Sequence, residues 1–509
     1  MSYHAFYAIS PFFPDKIRCW FRGKMAFHTR FKNQKKLMNI KKGRELEVTI
    51  SDIAFGGRGF TRVEGFSIFV DQAVALDRVR VRIVKKKKNY AEARVLELLE
   101  PSPYRIDPPC AYSGICGGCK WQFLDYEKQL YYKTRQVADS LAHIGLLTDV
   151  PVQPAWPSEA IFGYRNKMEF SCSDQRWLMP EEMADETVIR GFGIGLHVPG
   201  TYHKVLDIER CHIQPETGNA ILADVRRFIG DSGVPVYGLR SHEGFWRFLM
   251  LRHSAAFDQW MVNIVTAQAA REVVQPLADQ LMATYPSIVS VVNNITARKA
   301  GVAIGESEIL LAGQPCIYDK LGPYKFEISA NSFFQTNTRG AEKLYGKVRE
   351  YAQLTGSETV VDLYSGTGTI PIWLSDAARE IIGIEIVESA VADARRNCEK
   401  NGITNCRFMT GDIRDCLPTL DCRPDVMIID PPRAGMHKDV VQQVLALAPQ
   451  RMVYVSCNPA TLARDLGLLK EQYDIREVQP VDMFPHTWHI ESVALLTAKH
   501  QALHKGESV

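Results

Sequence analysis

RMVYVSCNPATLARDL, residues Arg451 to Leu466, divides at a single cysteine. Before it, Val453, Tyr454 and Val455 are an apolar run that predicts a buried strand; after it, Thr461 to Leu469 carry helical spacing. Asn458 is a good helix N-cap and Pro459 suits the first helical position, so a helix should begin just after Cys457. The thiol then sits at the carboxyl end of a strand, beside the partial positive charge of a helix N-terminus, which favours thiolate over thiol. A packed, inert cysteine has the same local signature, because free cysteine is commonly buried. The flanking sequence decides between the two.

From Tyr324 onward, strands alternate with helices, the pattern of a doubly wound parallel sheet. Glu358 to Leu363 reads as its first strand. Tyr364-Ser365-Gly366-Thr367-Gly368-Thr369 then makes a glycine turn into a helix. The next strand, EIIGIEIV, places Glu385 19 residues after Gly366, where a carboxylate can bind both ribose hydroxyls of a nucleoside. The turn lacks the third glycine of the dinucleotide fingerprint and the G-K-[ST] that grips phosphates. It therefore suits a nucleoside without phosphates, such as S-adenosylmethionine. The third strand ends at Gly411-Asp412, the fourth (DVMIID) at Asp430-Pro431-Pro432-Arg433, and the fifth at Cys457. These carboxyl ends share one crevice, the expected place for ligand and chemistry.

Toward the amino terminus the pattern changes. Gly43 to Leu99 alternates short strand signals with glycine turns and predicts a small five-stranded barrel. GGRG supplies the positive-φ positions of a bulged hairpin, and Lys85 to Asn89 read as a basic loop between the last two strands. Such barrels bind nucleic acid through basic edges and aromatic faces, here Phe55, Phe60 and Phe66. PPCAYSGICGGCKWQ follows, with Cys110, Cys116 and Cys119 spaced C-x5-C-x2-C. Three clustered thiols want a fourth: Cys211 is the best candidate and Cys172 the next. Four thiolates hold zinc or an iron–sulfur cluster, and spacing alone does not separate these. Phe123 to Leu146 reads as an amphipathic helix, and residues 161–317 as an α+β region. There Arg165, Asn166 and Lys167 are candidates to touch a substrate or to form a solvated strand edge.

At 509 residues the chain should hold about three domains. Its composition, 46% hydrophobic and 23% charged, fits a soluble globular protein without a membrane span or a secretory signal. The first 100 residues hold 21 Lys and Arg against 10 Asp and Glu; the remaining 409 hold 40 against 48. A basic front on a mildly acidic body points to a polyanion partner. Residues 1–39 read as a basic, disordered extension. Twelve cysteines without a secretory signal imply a reducing compartment, the cytoplasm, where clustered thiols are metal ligands rather than disulfides.

Together these residues resemble the RNA 5-methyluridine (uracil-C5) methyltransferase family, of the RumA type that acts on 23S ribosomal RNA, from about residue 40 to 500. The resemblance implies an α/β, class I (Rossmann-like) methyltransferase domain over 324–509. It implies an N-terminal TRAM barrel, OB-like and RNA-binding, over 40–101, and an iron–sulfur-containing α+β central domain over 102–323. Cys110, Cys116, Cys119 and Cys211 match the family's cluster ligands, which implies 4Fe-4S rather than zinc. Phe333, Gln335 and Asn337 match F-x-Q-x-N, with Gln335 at the cofactor. Tyr364, Thr369, Glu385, Asp412 and Asp430 fall on the family's S-adenosylmethionine contacts. Ser456 to Asp465 match S-C-N-P-x-T-x-x-R-D, making Cys457 the implied nucleophile. Phe484 to Glu491 match F-P-x-T-x-H-x-E, making Glu491 the implied general base. The chain departs from the family at Ser365 and Thr369 and carries an insertion around Trp177 to Thr187.

The chemistry needs these groups. Uracil C5 does not attack a methyl sulfonium unaided; a thiolate added at C6 makes an enolate whose negative end is C5. A base must then remove the C5 proton. Arg433 and His486 are candidate helpers of the thiolate. The expected partner is ribosomal RNA, bound by a monomer off any membrane, with the uridine flipped from its stack. Transfer RNA is the alternative. DPPR also fits a methyltransferase acting on an exocyclic amine, which needs no thiol. A non-enzymatic iron–sulfur RNA-binding factor would keep the cofactor site without turnover.

Overall fold

The computed structural model describes residues 40–299, 301 and 303–499; the extension read over residues 1–39 lies outside them. The first six strands, Glu45–Thr49, Asp52–Ala54, Arg58–Val63, Phe66–Asp71, Arg78–Lys86 and Tyr90–Glu100, form one sheet. Alternation builds it: Glu45, Glu47 and Thr49 are exposed while Leu46 and Val48 are buried. Ile68, Val70, Val79, Val81, Ala91 and Ala93 fill the interior.

Five strands were expected and six are present, because ELEVTISDIAF breaks at Ile50–Ser51. There the Ile50 N–H donates to the Asp77 carbonyl and the Ser51 N–H to the Phe60 carbonyl. The chain turns a corner and changes partner, from Arg78–Lys86 to Arg58–Val63. Lys85 and Lys86 belong to a strand, with Lys85 paired to Glu92, so the basic loop shrinks to Lys87–Asn89.

An eight-stranded mixed sheet follows, from the edge strand Ser307–Gly313 through Ile288–Ile295, Trp260–Thr266, Trp246–His253, Lys167–Ser173, Gly193–His197 and Val205–Asp207 to the short Arg176–Trp177. Helices Glu216–Asp231 and Arg271–Thr284 bury Ile221, Leu222, Val225, Val274 and Leu277 in its core.

The last sheet runs Cys406–Thr410, Glu380–Glu385, Thr359–Leu363, Val426–Ile429, Arg451–Ser456, Glu491–Ala498, Tyr473–Val481. Its first five strands are parallel and Glu491–Ala498 is antiparallel to both neighbours. These strands read as unbroken apolar runs because both faces are covered. Val360, Val453 and Val455 pack toward helix Thr338–Ala352, while Val361, Met452 and Tyr454 pack toward Leu462 and Leu466 of helix Pro459–Leu469. Helix Tyr126–Ser140 supplies Val137 to that second face, so the segment after the cysteines braces the helix that carries the Cys457 turn. No described helix is long and apolar enough to cross a membrane.

Candidate active site

Register brings the two proposed catalytic residues together. Ser456 pairs with Ser492 in the antiparallel ladder, so Cys457 and Glu491 are the next residues out, opposite each other at the edge of the sheet. Helix Pro459–Leu469 begins as expected, with the Asn458 side chain accepting the Ala460 N–H at 3.1 Å.

The polar residues of this motif mostly hold the neighbouring loop. Asn458 Nδ2 and Thr461 Oγ1 both donate to the Arg433 carbonyl, and Arg464 donates to the Met436 carbonyl. Buried Asp465 accepts the Met436 N–H at 2.8 Å and the Tyr454 hydroxyl at 2.6 Å. The Asp430–Met436 loop is thereby clamped beside Cys457.

The thiol is not depressed, contrary to the expectation from the helix end. Burial pushes Cys457 up to about 11, aided by the negative charges of Glu491 and Asp430 and opposed by Arg433. A helix terminus offers about 0.3–1 kcal/mol, under one pKa unit, and burial with two carboxylates outweighs it. Glu491 is not an exposed strand carboxylate. Burial and then Asp430 raise it to about 8, against Arg433 and Lys133.

The loop before Glu491 is anchored along its length. Asn337 caps helix Thr338–Ala352 and donates to the Met483 carbonyl at 2.9 Å. Thr487 Oγ1 donates to the Phe484 carbonyl at 2.8 Å. His486 stacks on Phe162 and is the partner of Gln129, while its carbonyl accepts the Lys120 and Trp121 N–H groups. His486 is therefore a structural residue rather than a helper of the thiol. Arg165, Lys167, Thr336, Phe484, Thr487 and His489 line an open cleft of about 390 Å³ together with Gly117 and Gly118. Asn166 does not reach that cleft; it is buried and donates to the Gln335 carbonyl and Thr338 Oγ1.

A second cleft, of about 280 Å³, lies at the glycine turn and is lined by Tyr364, Glu385, Ile386, Asp412, Pro432 and His437 among others. The turn bends through Gly366 and Gly368, both at positive φ. Glu385 is fixed by the Gly366 N–H at 3.0 Å and the Val387 N–H at 2.9 Å. Asp412 caps the next helix and is paired with Arg414, which holds its carboxyl down at about 2. Thr369 does not face this cleft. It is buried, with Oγ1 3.1 Å from the Tyr345 hydroxyl, beside which Gln335, Asp362 and Asp430 also gather.

Asp362, near the carboxyl end of strand Thr359–Leu363, is buried with neither carboxylate oxygen partnered. Burial and the charges of Asp430 and Glu385 raise it well above the usual carboxylate range, and burial raises Asp430 to about 6. An unpartnered buried carboxylate among like charges fits a cationic ligand group. The amino and sulfonium groups of S-adenosylmethionine have that charge, and Glu385 suits its ribose.

Cys110, Cys116, Cys119 and Cys211 all line one small pocket, with Tyr112, Gln122 and Ile213. Cys172 stands apart, buried near Arg226 and Asp207. Burial raises Cys116 and Cys119 to about 12 and Cys110 and Cys211 above their usual value. Among the described residues no three His, Cys, Asp or Glu side chains are arranged to hold a metal ion.

The strand order, the antiparallel Glu491 strand and an acidic crevice at the carboxyl edge define a class I methyltransferase. Comparison with known proteins narrows the class. The model of the tRNA (Uracil-5-)-methyltransferase family matches residues 265–412 and 417–499, and the TRAM domain model matches residues 40–96. An uncharacterized RNA methyltransferase of Chlorobaculum tepidum is 42% identical over 478 residues, which is 92% of this chain and 99% of that protein. One from Halalkalibacterium halodurans is 37% identical over 465 residues, 91% and 98% of the two chains. The crystal structure of Pyrococcus abyssi tRNA (uracil-54, C5)-methyltransferase in complex with S-adenosyl-L-homocysteine aligns with a TM-score of 0.70 at 29% identity, covering 89% of this chain and 100% of that one. The chain belongs to the RNA (uracil-5-)-methyltransferase family, with an α/β methyltransferase fold and a TRAM domain at its amino end.

Proposed function

We propose that this chain methylates carbon-5 of a uridine in 23S ribosomal RNA through a covalent adduct on Cys457, with Glu491 as the base that removes the C5 proton. The observation that carries the reading is the Ser456–Ser492 register, which sets thiol and carboxyl across from each other beside Asp430. Cys457, as thiolate, adds to C6, and the C5–C6 electrons move to the O4 carbonyl as an enolate, making C5 nucleophilic. S-adenosylmethionine, when bound, supplies the methyl group. Glu491, as carboxylate, takes the C5 proton; the C–H electrons re-form the C5–C6 double bond and the sulfur departs as thiolate. Asp362 and Asp430 would meet the cofactor's positive charge, Glu385 its ribose, and Tyr364 and Asp412 the rest of the nucleoside cleft. Gln335 acts from beside Tyr345.

Cys110, Cys116, Cys119 and Cys211, gathered around one pocket, would hold a 4Fe-4S cluster as its four thiolate ligands. The TRAM barrel, with Phe69 tilted against Phe60 and edge-on to Tyr90 and with Arg62 over Phe60, supplies a stacking and phosphate surface for the RNA.

The test uses RNA carrying 5-fluorouridine, which has no C5 proton to lose. The wild-type enzyme should form a stable protein–RNA adduct that maps to Cys457, and Glu491→Gln should trap the same adduct on ordinary RNA. Mapping 5-methyluridine in ribosomal and transfer RNA from cells with and without the gene assigns the target. No adduct in either case would refute the mechanism, and loss of the mark only from transfer RNA would refute the ribosomal target.

A further inference from the structure

Lys133 is a charged residue with no role in the scheme above. It lies on helix Tyr126–Ser140, 349 positions before its partner Asp482, and both side chains are 0% exposed. Its ammonium is 2.6 Å from Asp482 Oδ1 and donates to the Phe484 carbonyl at 3.1 Å. Asp482 in turn accepts the Phe484 N–H at 3.1 Å and, through Oδ2, the Tyr126 hydroxyl at 2.9 Å. The pair therefore pins the start of the loop whose end carries Glu491. Exchanging such a pair for well-packed apolar groups is often neutral or stabilising, so fold stability alone does not account for a buried ion pair here.

We propose that Lys133 is a positioning residue of the methylation reaction: paired with Asp482, it fixes the loop that presents Glu491 and holds a positive charge behind that carboxyl. The inference rests on the reading of Glu491 as the base. The groups facing Glu491 divide by sign and by element. Asp430 and Arg433 come from the loop after Val426–Ile429, Cys457 from the end of Arg451–Ser456, and Lys133 from helix Tyr126–Ser140. Asp482, His486 and His489 belong to its own loop, and burial holds both histidines at about 4, hence neutral at neutral pH. Arg433 is exposed and Lys133 is the buried cation of the set; burial lowers its pKa, and Asp482 opposes that by favouring the charged form. Because its field favours the carboxylate, removing the charge leaves a smaller fraction of Glu491 ionised at neutral pH.

The test follows the C5 proton itself. RNA from cells lacking the gene, labelled with [5-3H]uridine, is methylated between pH 6 and 10, and tritium release gives kcat at each pH beside KM for S-adenosylmethionine. Wild type should release tritium faster as pH rises through the range in which Glu491 ionises, about 8 in the free protein. In Lys133→Met the rise should move to higher pH, with release about threefold slower at pH 7 and closer to wild type at pH 10. KM for the cofactor should not change, and Lys133→Arg should restore the profile. The double variant K133M/D482L removes both charges at once and leaves no buried charge unpaired, so it decides the matter if the single variant does not fold. A wild-type profile, or an equal loss at every pH, would overturn the assignment of Lys133. Wild-type enzyme that releases no tritium at all would overturn the uracil-C5 reading, and this inference with it.

Discussion

The ionisation of Cys457 is set by its burial and by the two carboxylates beside it. The helix N-terminus was expected to favour a thiolate, yet in the free protein the sulfur is held at about 11 by burial, Glu491 and Asp430. Asp430→Asn removes one of those negative charges. Alkylation of Cys457 by iodoacetamide at pH 8, read by mass spectrometry, should then run about three- to tenfold faster in the free enzyme, the size of a shift of half to one pKa unit. RNA methylation should fall in the same variant, because Asp430 is proposed to meet the cofactor's positive charge. Unchanged or slower alkylation would show that Asp430 does not set the thiol. Cys457 and Glu385 stand out from local signals, a strand end with a cap and a 19-residue spacing, whereas Glu491 is singled out only through the family resemblance. Asp362 was half visible as the last polar residue of the first strand, but its unpartnered state exists only in the fold. Lys133 was invisible, since nothing in YYKTRQ marks a lysine that meets a carboxylate 349 positions away.

Among the elements, the parallel strands read correctly because burial on both faces leaves unbroken apolar runs, and the alternating helices separate them. The barrel was miscounted because a corner inside ELEVTISDIAF carries no glycine or proline to announce it. The polar residues that follow Cys457 serve the fold: Asn458, Thr461, Arg464 and Asp465 are occupied in holding Arg433 and Met436. The cysteine segment shows the opposite case, a spacing whose convergence on one pocket required the chain to return at Cys211. Anaerobically purified protein should carry close to four iron and four acid-labile sulfide per chain, as a 4Fe-4S centre requires. Cys116→Ser should lose both, together with the visible absorption. Zinc in place of iron would overturn the cluster, whatever the activity of the preparation.

Across the whole molecule, the loop that bears Glu491 is where three parts of the chain meet. Trp488, three residues before Glu491, packs edge-to-face with Phe55 of the barrel at 5.3 Å between ring centroids, and Trp121 of the cysteine segment donates to the Gly57 carbonyl at 3.2 Å. Gly57 makes this approach possible: its φ is +82°, and a β-carbon there would lie 3.0 Å from Trp121 Nε1 and 3.2 Å from Trp488 Cβ. A barrel that only captured RNA could hang on a linker; this one is seated against the catalytic loop, so docking and catalysis should be coupled. Gly57→Val forces both a strained backbone and an overpacked contact, at a cost of about 1–3 kcal/mol. It should lower the melting temperature and reduce kcat/KM for RNA, while calorimetry should find S-adenosyl-L-homocysteine binding unchanged, because Glu385 and Asp412 lie on other elements. If methylation survives at the wild-type rate while the barrel loosens, the barrel serves capture alone. If cofactor binding falls in step with methylation, the damage has spread through the fold, and the coupling assigned to the Gly57 contact is wrong.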